Sequence, residues 1–155
     1  MTRIYLFDWG DTLMVDFPQY QGKMCHWPEV QAVPGALEAL RRLSANTPIY
    51  IATNADDSST EDIKLAFQRA GLAKFISGYF CKTNMGIAKG NPEYFHRIVL
   101  ELDVEPHDIT MVGDSLENDI QPAIAAGLNA IWYCSKDQQC NDRQYEQIRV
   151  LEELN

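Results

Sequence analysis

A doubly wound α/β domain, with a parallel sheet between two layers of helices in the Rossmann-like manner, follows from three features of this 155-residue sequence. Five short apolar runs are spaced along the chain, segments of helical period lie between them, and polar residues cluster directly after the runs. Runs without in-and-out alternation belong to strands buried on both faces. Strands alternating with helices across a whole chain specify a parallel sheet covered on both sides. Residues 1–155 have the length of one domain with a substantial core.

Taken in order, the first run is Ile4 to Phe7. The stretch 14–33 follows, holding Phe17, Tyr20, Gly22, Trp27 and Pro28 with no clean period, and reads as an irregular flap. Leu37, Leu40 and Leu43 then recur on one helical face ahead of the second run, Ile49 to Ala52. Ser58 with Glu61 has the spacing of a capping box, and Asp56 and Asp57 beside it favour a helix start. Ile63, Ala66, Phe67 and Ala70 continue that helix, with Gly71 as its stop. Tyr79 to Cys81 forms the third run. Asn91-Pro92 supplies an N-cap and a first-turn proline for a helix carrying Phe95, Ile98, Val99 and Leu102. The fourth and fifth runs are Ile109 to Val112 and Ala130 to Cys134. Arg143 to Leu154 places Tyr145, Ile148, Leu151 and Leu154 on one side of an expected terminal helix.

Composition narrows the function classes. Thirteen Lys and Arg against twenty-two Asp and Glu give a formal charge of −9, with no basic run to attract nucleic acid or anionic lipid. No apolar stretch approaches a membrane span, and Asp8 and Asp11 interrupt any N-terminal signal core. Four scattered cysteines without a CxxC read as reduced thiols of a cytoplasmic protein. Adjacent Cys25 and His26 have no zinc-ligand spacing.

Chemistry in a parallel α/β sheet sits beyond the carboxyl ends of the strands. There the sequence places Asp8-Trp9-Gly10-Asp11-Thr12 after the first run, Thr53-Asn54 after the second, and Gly113-Asp114-Ser115 after the fourth, with Asp119 a short turn further on. Asp8, Thr53, Asp114 and Asp119 converge at one rim, and Lys89, just ahead of a helix, is placed to balance them. Such a set suits phosphoryl transfer: carboxylates hold Mg²⁺ through hard oxygens, while a lysine and a hydroxyl neutralise phosphate oxygens. One carboxylate can serve as nucleophile, forming an aspartyl-phosphate.

Phe7-Asp8-Trp9-Gly10-Asp11-Thr12-Leu13, Thr53-Asn54, Lys89 and Gly113-Asp114-Ser115-Leu116-Glu117-Asn118-Asp119 resemble, in order and spacing, the four motifs of the haloacid dehalogenase (HAD) superfamily. The resemblance implies a five-stranded parallel sheet in the order 5-4-1-2-3. It further implies Asp8 as nucleophile, a metal site of Asp8, the Gly10 carbonyl, Asp114 and Asp119, and phosphate contacts from Thr53, Asn54 and Lys89. Neither the stretch 14–33 nor that between Asn54 and Lys89 has room for a large cap domain, so the expected form is capless with an open site. The implied substrate is a phosphorylated small molecule or a phosphoprotein, with a homo-oligomer able to supply a lid.

One departure from the pattern matters. Phosphatases of this superfamily carry Asp-x-Asp-Gly-Thr, the second Asp acting as general acid and base, whereas here that position is Gly10. Three readings stay open: Asp11 reaches inward as the acid, the substrate has a leaving group that needs little protonation, or the chain binds phosphate or a partner without efficient turnover. Carbon–halogen cleavage, which also dispenses with the second Asp, is disfavoured because it calls for a cap over an apolar site. A response-regulator receiver is excluded by motif order, since its phosphorylated Asp follows a middle strand.

Overall fold

The computed structural model describes residues 2–55, 57–135 and 140–154, so Asp56 lies outside the described residues. Among these residues six parallel strands form one sheet: β1 (Ile4–Phe7), β2 (Ile49–Ala52), β3 (Gly78–Phe80), β4 (Ile109–Gly113), β5 (Asn129–Tyr133) and β6 (Gln147–Ile148). Their spatial order is β3-β2-β1-β4-β5-β6, the expected five-strand order with one strand added beside β5. The helices are α1 (Ala36–Ser44), α2 (Thr60–Arg69), α3 (Lys82–Met85), α4 (Pro92–Leu102) and α5 (Gln121–Ala125).

β1 is buried throughout and divides its side chains between two cores. Tyr5 and Phe7 pack with α1, α2 and the flap, through Leu40, Ile63 and Phe67. Ile4 and Leu6 pack on the other face with Phe95, Ile98 and Met111. This split explains the missing alternation: both faces of the strand meet helices. Among the described residues no helix is long and apolar enough to cross a membrane.

Helix ends follow local chemistry, with one shift of register. The capping box of α2 is Ser59 with Asp62, not Ser58 with Glu61: Asp62 N–H donates to Ser59 Oγ at 3.3 Å and Ser59 N–H to Asp62 Oδ2 at 3.0 Å. Ser58 is buried instead. Gly71, at φ 76°, follows the α2 C-cap as expected. Asn91 caps α4 by accepting from Glu93 N–H at 3.0 Å, with Pro92 in the first turn.

The terminal segment corrects the sequence reading. It is not a helix but β6 followed by a short 3₁₀ turn, Leu151–Glu153. Its apolar residues recur every third position, which an α-helix would spread around its circumference, and β5 offers an open edge. Trp132 N–H donates to Glu146 O and Cys134 N–H to Ile148 O, both at 2.8 Å, and Leu151 and Leu154 are buried against the α1 side. This doubling back also sets Cys134 against Cys140 as a disulfide pair, Cα atoms 6.3 Å apart, where four separate thiols were expected. Cys25 and Cys81 are free.

The segment 14–33 is irregular apart from the 3₁₀ turn Met24–His26, and it is anchored. Arg69 of α2 donates to the carbonyls of Cys25 at 3.1 Å and Trp27 at 2.7 Å, and Lys23 pairs with Asp62 at 2.8 Å. Phe17, Tyr20 and Trp27 form an aromatic cluster with ring centroids 5.5–6.5 Å apart.

Candidate active site

The carboxyl ends of β1, β2 and β4 open onto a cavity of about 350 Å³, bounded on one side by the flap. Asp8 extends the β1 ladder by donating its N–H to Val112 O at 2.9 Å, which carries its side chain to the rim. Thr12 Oγ1 donates to Asp8 Oδ2 at 3.0 Å, and the Lys89 ammonium donates to Asp8 Oδ1 at 2.7 Å. Lys89 enters from the loop before α4. Its backbone N–H donates to Asn54 Oδ1 at 2.6 Å, and its ammonium also reaches Asp119 Oδ1 at 2.6 Å and Ala52 O at 3.0 Å. A buried lysine thus has three oxygen partners, which satisfies its charge without water.

Asp119 sits on a π-helical turn, Leu116–Ile120, that follows Ser115. Its second oxygen accepts from Ser115 N–H at 3.1 Å and lies so close to Gly113 that a Cβ there would overlap the carboxylate. Glycine at 113 is therefore what lets β4 end beside Asp119. Trp132 of β5 fixes the Asp114 backbone by donating to its carbonyl at 3.1 Å.

One carboxylate oxygen each from Asp8, Asp114 and Asp119 lies within 4.8 Å of the others. Burial raises the Asp8 pKa, but the Lys89 charge, with hydrogen bonds from Asp114, Lys89 and Thr12, outweighs it and holds Asp8 below the usual carboxylate range. Asp114 is pushed up to about 8 by burial, then by the hydrogen bond to Asp8 and by repulsion from Asp8, Asp119 and Asp11. Asp119 is pushed up to about 6 by burial first and the Asp8 charge second, with Lys89 opposing. Burial opposes the Lys89 charge, yet Asp8 and Asp119 hold its pKa above the ordinary lysine value. Three carboxylates against one ammonium leave a surplus of negative charge on hard oxygens, the donor set that Mg²⁺ takes. The residues present therefore fit that ion.

This crowding has a stability consequence. The folded pKa of Asp114 lies above its unfolded value, so its contribution is favourable at low pH and is lost as pH rises from about 4 through about 8. Asp114→Asn is expected to stabilise the metal-free protein at pH 8 by on the order of 2 kcal/mol, well short of the full shift because solvent at the rim screens the repulsion. The gain should shrink toward zero near pH 4. Urea unfolding in EDTA across this range checks it, and a gain that does not grow with pH would contradict the repulsion.

Thr53 is buried at the β2 end and lines the cavity, its hydroxyl accepting from Ala55 N–H at 3.2 Å. Asn54 also lines it, with its carbonyl oxygen spent on the Lys89 loop. Gly10 lines it as well. Asp11 is set apart from this group: it is exposed as Asp16 is but does not line the cavity, adopts the left-handed conformation at φ 60°, and its carboxylate accepts from Asp16 N–H at 2.9 Å. Asp16 instead lines the cavity, with Asp57, Ser115 and Asn118. Burial, followed by the Asp11 and Asp8 charges, raises the Asp16 pKa. Neither Asp16 nor Asp57 carries a motif signal as a site residue, since their placement depends on how loops return to the rim. Thr12 had one available, four residues beyond Asp8.

Residues 10–127 match the family model described as haloacid dehalogenase-like hydrolase. The chain is 33% identical over 102 residues to the pyrimidine 5'-nucleotidase YjjG of Escherichia coli, covering 64% of this chain and 44% of that protein. It spans from a quarter to about half of the length of the curated relatives it matches. Among solved structures, an uncharacterized protein from Listeria monocytogenes serotype 4b superposes with a TM-score of 0.84 at 23% identity, over 98% of this chain and 93% of that one. The magnesium-bound putative HAD-hydrolase YfnB of Bacillus subtilis superposes with a TM-score of 0.77 at 18% identity, over 98% and 96%. At these identities the two superpositions speak for the fold.

Proposed function

The chain belongs to the haloacid dehalogenase-like hydrolase family, and from that premise we propose that it is a Mg²⁺-dependent phosphatase that hydrolyses a phosphate monoester through an aspartyl-phosphate on Asp8. The observation that carries this reading is the buried Asp8–Lys89–Asp119 chain of contacts at 2.6–2.7 Å, beside Asp114 at the cavity floor. It keeps Asp8 ionised and therefore nucleophilic, and it sets a fixed positive charge where phosphate oxygens arrive.

Asp8, Asp114, Asp119 and the Gly10 carbonyl would hold the ion, which when bound supplies a Lewis acid for the phosphate oxygens and an orienting charge. Thr53 with Lys89 binds and orients the phosphoryl group, and Asn54 holds Lys89 in place. Thr12 holds the far oxygen of Asp8 by donating to it. The short stretches 14–33 and 54–89 support an open site that suits a phosphorylated small molecule or an exposed phosphorylated side chain of a protein, in the cytoplasm.

The test is phosphate release from a panel of aryl, acyl and alkyl phosphates with Mg²⁺ or EDTA, accompanied by thermal unfolding of the protein alone at increasing Mg²⁺. Expected are release that EDTA abolishes and a rise in Tm with Mg²⁺ that Asp114→Asn removes. A Tm indifferent to Mg²⁺ would count against the metal site independently of turnover. The second reading, a phosphate- or partner-binding domain without turnover, rests on Gly10; it predicts the Tm rise with no release from any substrate.

A further inference from the structure

Hydrolysis of an alkyl phosphate needs a proton for the departing oxygen, and the carboxyls around Lys89 are committed. Asp8 attacks, Asp119 is tied to Lys89 and Ser115, and Asp114 faces both of them. Gly10 offers no side chain. Its backbone is ordinary for an L-residue, and a Cβ built on it would point at Asp16, 3.6 Å from both Cβ and Oδ2 and 3.8 Å from Cγ. The Asp16 carboxyl, brought in from the flap, thus fills the space that a longer side chain at position 10 would enter.

The flap holds Asp16 there. Its N–H is fixed by Asp11 Oδ1 at 2.9 Å, and Asp11 in turn donates its N–H to Met14 O at 2.7 Å. Val15 N–H is bound to Gln31 O at 2.8 Å, tying the strand before Asp16 to the return limb of the flap. The other carboxyl lining the cavity outside the cluster is Asp57, beyond the β2 end, where it accepts from Ser58 Oγ at 3.4 Å.

We infer that Asp16 is the general acid and then the general base of the reaction, replacing from the flap the side chain that Gly10 lacks. In the first step an Asp8 oxygen bonds to phosphorus, the ester P–O bond breaks, and its electron pair takes the Asp16 proton, so the product leaves as an alcohol. In the second step Asp16, now a carboxylate, takes a proton from water as the water oxygen bonds to phosphorus. The Asp8–phosphorus bond breaks, releasing inorganic phosphate and restoring both carboxyls. Asp11 is then a positioning residue for Asp16.

The assignment rests on the phosphatase reading, and the experiment separates the two. Wild type, Asp16→Asn, Asp57→Asn and Asp16→Ala with Gly10→Asp are compared on an alkyl phosphate and on p-nitrophenyl phosphate, whose leaving group needs little protonation. Asp16→Asn should lower alkyl ester turnover roughly 10²–10³-fold. On the aryl ester it should keep a rapid burst of nitrophenolate equal to the enzyme present, followed by slow steady-state release. Gly10→Asp, for which Asp16→Ala vacates the space, should restore alkyl ester turnover in the double variant. Wild-type rates in Asp16→Asn, equal losses on both esters with no burst, or a leaving-group effect confined to Asp57→Asn would each overturn the assignment while leaving the phosphatase reading intact. A wild type that releases nothing from either ester overturns that reading and the assignment with it.

Discussion

Asp8→Asn is expected to abolish turnover, lowering kcat by roughly 10⁴-fold or more on every phosphate ester, because the attacking oxygen is lost rather than weakened. The substitution is nearly isosteric. Its carboxamide oxygen can still accept from Thr12, and Lys89 retains Asp119 and Ala52 O as partners. The fold should therefore persist, and a circular dichroism spectrum matching wild type separates lost chemistry from lost structure. Retention of even a hundredth of the wild-type rate would show that some other group attacks phosphorus.

Lys89→Met should have the largest effect on stability. The lysine is 7% exposed, and its ammonium is the cation between Asp8 and Asp119, both buried. Removing one member of a buried ion pair leaves uncompensated charge and typically costs about 3–5 kcal/mol. For a domain of this size that corresponds to a fall in Tm of roughly 6–20 °C. The loss should be greatest above the pKa of Asp119, about 6, and smaller below it, where that carboxyl becomes neutral. Urea unfolding at pH 5 and pH 8 reads this directly. A loss under 1 kcal/mol at pH 8 would mean that water or rearrangement already screens the cluster.

The two effects explain why the rim is legible from sequence while its trim is not. The first five strands lie within about a residue of the apolar runs, because a strand buried on both faces has to be written in apolar residues. Polar residues directly after such runs have no place to go but the rim, so Asp8, Thr53 and Asp114 come together as expected. Lys89 and Asp119 arrive through turns whose glycines and prolines are visible in the sequence.

What depends on loop geometry is less visible. The terminal residues 143–154 place apolar side chains at a spacing of three, compatible with a face of several structures, and the open edge of β5 decides in favour of a strand. The α2 capping box falls one residue later than the spacing suggests, with Ser58 buried and Ser59 at the cap. Asp16 lies eight residues from Asp8 in a stretch without period, and only the left-handed turn at Asp11 and the bridge between Met14 and Ala32 bring it back to Gly10. The pattern at Gly10 shows that a carboxyl is missing from its usual position, without showing where another enters.

In the proposed reaction phosphorus becomes covalently bonded to Asp8. The most direct test is acid quenching of the protein during turnover of a labelled phosphate ester with Mg²⁺, followed by peptide mapping. The expected result is hydroxylamine-labile phosphate on the peptide containing Asp8, absent in Asp8→Asn and accumulated in Asp16→Asn. Steady release of phosphate with no label on that peptide in either wild type or Asp16→Asn would contradict the account.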